Sequence, residues 1–141
     1  MKGIIPTIHC CTNNESENLG IFFMEWFQMI DRWTNREVWN AECATYSGFC
    51  QVVGQPDNVV SFEYYLKKIV EPIHARFSQF LRVCFAKPKE QFMKTRCALK
   101  ILFRIRSVFP KDKSIAEPII DELKRIIDMN GEISKDIWTL A

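Results

Sequence analysis

The chain predicts an all-α fold, with antiparallel helical hairpins stacked as an α-solenoid of the HEAT or armadillo kind, and three observations carry that expectation. Apolar residues recur at three- and four-residue steps through four long stretches. No stretch alternates with the period of two that a half-buried strand requires. Several of the helical stretches are apolar on two faces, so each must stack on a neighbour to bury its second face, which suits layered hairpins better than a closed bundle. No clean internal period accompanies the pattern, so any repeat relation is structural only.

With 141 residues and 48% hydrophobic content, including 11 Phe and 4 Trp, the chain is long enough for a real core and short enough to read as a single domain, 1–141. The first segment, with Ile4, Ile5 and Ile8 around Pro6, reads as the tail of an earlier element. Thr12-Asn13-Asn14-Glu15 is a capping box, in which hydroxyl and carboxylate each accept from the other residue's backbone N–H, and it predicts a helix start. Phe22, Trp26, Met29, Ile30 and Trp33 form its main stripe, Phe23 and Phe27 a second one, and the helix is expected to run to Trp39 or Ala44. Gly54 to Asn58 is a loop by its turn residues.

A second long helix is expected through Phe62, Tyr65, Leu66, Ile69, Ile73, Phe77, Phe80, Leu81 and Cys84. Pro72 falls inside it, removes one backbone hydrogen bond, and predicts a kink near Lys68 to Glu71 or two helices end to end. Lys87-Pro88 suits the start of a third helix, whose apolar arc includes Phe92, Leu99, Ile101, Phe103 and Ile105 and which stops at Phe109-Pro110. Ser114-Ile115-Ala116-Glu117 reads as another capping box, opening a helix with Ile119, Ile120, Leu123, Ile126 and Ile127 and ending at Asn130-Gly131. A short helix from Ser134 to Ala141 would bury Ile137 and Trp138.

The net charge of +2 hides a segment, Lys87 to Lys113, with nine Lys or Arg against Glu90 and Asp112, which leaves the remainder net negative. Arg96, Lys100 and Arg104 are spaced by four and share one helix face, with Lys89 close in angle and Lys111 and Lys113 just beyond the end. Such a ridge can meet RNA phosphates or an acidic partner, or can simply be a solvated face. Phe92 and Phe103 are expected to turn towards the core, so base stacking does not join the ridge.

Chemistry is absent from the motifs. The six cysteines fall at irregular spacings without a C-x-x-C and read as reduced thiols of nucleus or cytosol. His9-Cys10-Cys11 offers half of a zinc site without a second cluster, and no metal or other cofactor is expected. His74, among Ile73 and Phe77, has no nucleophile or carboxylate at a catalytic spacing and reads as a packing histidine. No phosphate loop or triad order is present, so neither an enzyme nor a small-molecule substrate is expected. The longest apolar run, Ile21 to Ile30, is broken by Glu25 and Gln28 and is too short to span a bilayer, and the chain reads as soluble with no membrane partner.

Read in order, these segments resemble the C-terminal helical region of the THO complex subunit 2 family from about Ile4 to Ala141. Ile4-Ile5-Pro6-Thr7 and the Thr12 box look like the family's lead into a capped helix, with Gly20 where that helix carries a glycine. Arg32-Trp33 matches the family's Arg-Trp-His, and Glu42-Cys43 with Gly48-Phe49 matches its Glu-Cys and Pro-Gly-Phe. His74 falls at its Trp-His, Arg96 at its Ile-Arg-Asn, and Leu99 to Pro110 follows its apolar helix ending in an aromatic-proline pair. Thr34, Ser47, Ile73, Thr95 and Cys97 stand where the family has histidine, proline, tryptophan, isoleucine and asparagine.

The resemblance implies a scaffold segment in a nuclear assembly that packages nascent mRNA and hands it to export. Its implied partners are other THO subunits, a DEAD-box RNA helicase and RNA. Family members are far longer, so the chain is either a piece of one or a much reduced version. Within the shared motifs, Trp33, Cys43 and Phe49 read as core, with a peptide-binding pocket as the competing reading. Arg32, Glu42 and Arg96 read either as a partly buried set that fixes a helix angle or as solvated charges.

Overall fold

The computed structural model describes residues 11–44, 46–50, 58–129 and 135–140. The helices are α1 (Asn13–Arg32), α2 (Arg36–Glu42), α3 (Phe62–Tyr64), α4 (Glu71–Phe85), α5 (Phe92–Ile105), α6 (Lys113–Asp128) and α7 (Lys135–Leu140). A π-helical stretch, Tyr65–Val70, joins α3 to α4 without a break, and a 3-10 turn, Ser47–Phe49, follows α2. Among the described residues no strand forms; the nearest approach is an isolated antiparallel bridge between Cys50 and Val59.

Helix α1 begins as its sequence dictates. The Glu15 carboxylate accepts from the Thr12 N–H at 2.7 Å, and the Thr12 oxygen accepts from the Glu15 N–H at 3.4 Å. It ends earlier than expected. The Thr34 hydroxyl donates to the Asp31 carbonyl at 2.6 Å, and the Asn35 side chain accepts from the Glu37 N–H at 2.9 Å, so one helix is capped off and another, α2, is opened. The buried face of α1 is also rotated from the expected stripe: Ser16, Gly20, Phe23, Phe27 and Ile30 are buried, while Phe22 and Met29 are exposed. Gly20 explains the rotation. A Cβ there would stand 3.0 Å from Cβ and Cγ of Arg104, so the glycine lets α5 approach closely, and a hydrophobic pattern gives such small residues little weight.

The interruption expected at Pro72 takes the form of the π stretch, whose last turn closes with the Glu71 N–H donating to the Leu66 carbonyl. The wider turn precedes the residue that has no N–H to offer, and Pro72 then sits in the first turn of α4. Helix α5 starts at Phe92, not at Pro88, which lies in a turn. Helix α6 starts at Lys113 with Asp112 as its cap, the carboxylate accepting from the Ser114 N–H at 3.1 Å, so the expected Ser114 box is displaced by the residue two places earlier. Pro118 lies inside α6. The expected stop at Asn130-Gly131, the loop at 54–57 and the segment 1–10 lie outside the described residues.

Cross-contacts give the directions of the helices. Cys97 Sγ donates to the Cys11 carbonyl (3.4 Å), Lys100 pairs with Glu17 (2.6 Å), Arg104 lies against Gly20, and Lys111 pairs with Asp31, so α1 and α5 run parallel. Ser78 donates to the Ile115 carbonyl at 3.5 Å and Arg125 to the Phe85 carbonyl at 2.8 Å, so α4 and α6 are parallel too. Between these pairs the sense reverses: Phe23 meets Phe77 at 4.9 Å and Ile30 meets Tyr65, and Thr95 meets Cys84. The loop 86–91 joins α4 to α5 and 106–112 joins α5 to α6. The connection from α1 is longer than expected, because α2 and the 3-10 turn are built into it.

Among the described residues, two hydrophobic clusters form the interior. The larger joins Phe23, Phe27, Phe77, Leu81, Cys84, Ile101, Ile105, Phe109, Ile126 and Ile137. The smaller is Trp39, Cys43, Val60 and Tyr65, with Trp33, Phe49 and Phe62 packed around it.

Candidate assembly surface and motif cluster

The motif residues meet in the smaller cluster. Glu42, at the end of α2, reaches back to the end of α1: one carboxylate oxygen pairs with Arg32 and the other accepts from the Trp33 indole N–H at 3.1 Å. Those two bonds, the Arg32 one foremost, hold the Glu42 carboxyl below its ordinary pKa. The Trp33 ring meets Phe49 edge-on at 5.3 Å, Phe49 meets Trp39 at 5.2 Å, and Trp39 stacks on Tyr65 at 4.4 Å. Cys43 is fully buried beneath them, and burial pushes its thiol pKa up. Arg32 and Glu42 thus form a pair across the corner between α1 and α2, and because it is open to solvent it fixes geometry more than it stabilises. Arg96 lies on α5, well along the chain from that corner. Gly48 faces open space, with nothing within 4 Å of a Cβ placed there, so packing gives no reason for a glycine.

Half of the basic ridge, Lys100, Arg104 and Lys111, meets residues of α1. Lys100 is paired with Glu17 and its side chain is only 15% exposed; Lys111 is paired with Asp31; Lys113 stands 3.9 Å from Glu117. Arg104 packs across Gly20, and Arg96 is half-buried. Lys89 lies in the turn before α5 and is exposed. Phe103 corrects the expectation that the α5 aromatics face the core: it is 55% exposed, and the Arg106 guanidinium lies over its ring at 3.9 Å. Phe92 does pack against the core.

His74 sits between Phe27 and Phe109, at 5.2 and 5.5 Å, and burial lowers its pKa. It is half-buried against those two rings and lines a small cleft. Among the described residues no cluster of three or more His, Cys, Asp or Glu could hold a metal, while His9 and Cys10 lie outside them. No helix of the described residues is long and apolar enough to cross a membrane.

Sequence reasoning missed three polar side chains. Thr95, fully buried, donates to the Cys84 carbonyl at 2.8 Å; Tyr65 donates to the Ile30 carbonyl at 3.1 Å; Arg125 donates to the carbonyls of Phe85 and Ala86 at 2.8 and 3.1 Å. Their residue types carry no signal of the partners, which lie in other helices. Large apolar residues remain at the surface of several helices, among them Ile21, Phe22 and Met29 on α1, Val83 on α4, Met93 and Phe103 on α5, and Ile120 and Ile127 on α6.

The arrangement thus joins helices and leaves apolar side chains outward. The chain is 28% identical over 146 residues to THO complex subunit 2 of Arabidopsis thaliana, a match that takes in 99% of this chain and 8% of that protein. It is 23% identical to THO complex subunit 2 of Mus musculus and of Homo sapiens, with 98% of this chain and 9% of each relative covered. The chain therefore spans less than a tenth of the length of these curated relatives. No solved structure matches it. The family described as transcription factor/nuclear export subunit protein 2, Tho2, matches residues 1–141, the whole of the chain, and the chain belongs to that family.

Proposed function

We propose that the chain is a scaffold segment of a THO complex in the nucleus, an α-solenoid piece that docks other THO subunits and helps to position a DEAD-box RNA helicase on the messenger ribonucleoprotein. The observation that carries this reading is the stacking of like on like, α1 parallel to α5 and α4 parallel to α6, which is how consecutive helical hairpins lie when layered. The family match and the outward apolar residues on α1, α5 and α6 support it. The mechanism is geometric: rigid layers hold partner sites at fixed separations. The experiment is affinity purification of the tagged chain from nuclear extract, with mass spectrometry of the proteins that co-purify. Recovery of THO subunits and the helicase is expected, and recovery of neither would refute the proposal.

A second reading, an autonomous RNA-binding module, is favoured by one observation, the exposed Phe103 with Arg106 stacked over it beside Arg104. It requires binding of single-stranded RNA that weakens steeply with salt and is lost on Phe103→Ala with Arg106→Glu. Lys100 is a poor target for that test, because its pairing with Glu17 makes its reversal a folding variant.

A further inference from the structure

We propose that the cleft beside His74 receives one basic side chain, lysine or arginine, presented by a partner protein. The cleft lies where the end of α1, the start of α4 and the start of α6 converge, and its volume is about 200 Å³. Sites for drug-sized ligands run from roughly 300 to 1,000 Å³, so this one suits a single long side chain rather than a cofactor. Ile30, Val70 and Ile115 give it apolar walls, the surface on which the methylene stem of a lysine or arginine lies while its charged head stays at the rim.

The rim is acidic on balance. Asp31, Glu71 and Asp112 border the cleft and Lys111 is the one cation that does. Lys111 is paired with Asp31, which leaves two negative charges. The Asp112 carboxylate accepts from the N–H and the hydroxyl of Ser114, at 3.1 and 3.0 Å, while Glu71 makes no ion pair among the described residues and is exposed. His74 adds no positive charge at neutral pH, since burial favours its neutral form. Asp112 is also the cap of α6, so part of its charge is spent on the start of that helix and Glu71 is the carboxylate left for a guest.

The inference goes beyond the scaffold reading and does not need it, because the test uses the chain alone. The isotopically labelled chain is titrated with N-acetyl-arginine amide and N-acetyl-lysine amide, with N-acetyl-citrulline amide as the neutral counterpart, and followed by two-dimensional NMR. Saturable shifts of His74, Thr34 and Ile115 with either cation, and none with citrulline, are expected. Glu71→Gln should weaken the binding and Lys111→Gln, which releases Asp31, should strengthen it, each by roughly threefold to tenfold. These opposite signs cannot arise from misfolding, and the spectrum of each variant reports its fold directly. Absence of saturable shifts, equal shifts with citrulline, or indifference to both substitutions would overturn the proposal. So would His74 shifts that track the concentration of the chain itself, which would assign the cleft to a second copy.

Discussion

Thr95, Tyr65 and Arg125 each send a donor into another helix, and each lands on a carbonyl in or just beyond a helix's last turn: Cys84, Phe85 and Ala86 at the end of α4, and Ile30 near the end of α1. Carbonyls of a last turn have no partner within their own helix, so these side chains join two helices while meeting an obligatory need of the backbone. His74 answers a different constraint. Burial lowers its pKa from the usual 6.5, with Asp31 and Asp112 pulling it up and Lys111 pushing it down. The unfolded chain therefore takes up the proton first, so the contribution of neutral His74 to stability is complete above about pH 6.5 and is lost as the pH falls towards the folded value. Urea unfolding across that interval should show a decline that His74→Gln makes shallower; an unchanged slope would place the titration elsewhere.

At the level of elements, the start of α6 separates what a pattern can show from what it cannot. Asp112 caps the helix and Ser114 lies inside it, so Asp112→Ala should cost about 0.5–2 kcal/mol and Ser114→Ala clearly less, as measured by the denaturation midpoint. The Thr12-Glu15 box was legible because its partners are three residues apart and nothing distant competes. The core of α4 was legible for a similar reason, with Phe77, Phe80, Leu81 and Cys84 buried as their spacing required. Three features were not. The face of α1 turns on Gly20 and Ser16, whose contribution is closeness to another helix; the exposure of Phe103 depends on where α5 meets its neighbours; and the break at Thr34 is a local contest between hydroxyl and helix. Of the motif residues, the sequence placed Arg32, Trp33, Glu42, Cys43 and Phe49 in one pattern but not in one contact set, because the carboxylate that joins two of them acts across the corner between α1 and α2.

For the molecule as a whole, the Glu17–Lys100 pair bridges the two parallel helices α1 and α5 that face each other most extensively. Lys100 is mostly buried there, so Lys100→Glu sets two carboxylates together and should lower the denaturation midpoint, while the exchanged double variant, Glu17→Lys with Lys100→Glu, should recover most of the loss. A double variant as unstable as the single one would show that packing, not charge, decides this contact. The division of the interior into two clusters has a further consequence through its sulfur atoms. Cys43 is sealed in the aromatic cluster, whereas Cys84, its thiol pushed up to about 12, is sealed in the larger one. Neither can meet a thiol reagent until its surroundings part. Labelling at equal rates would mean that the two compartments breathe in unison, and a quicker Cys43 that the corner works loose while the larger cluster stays shut.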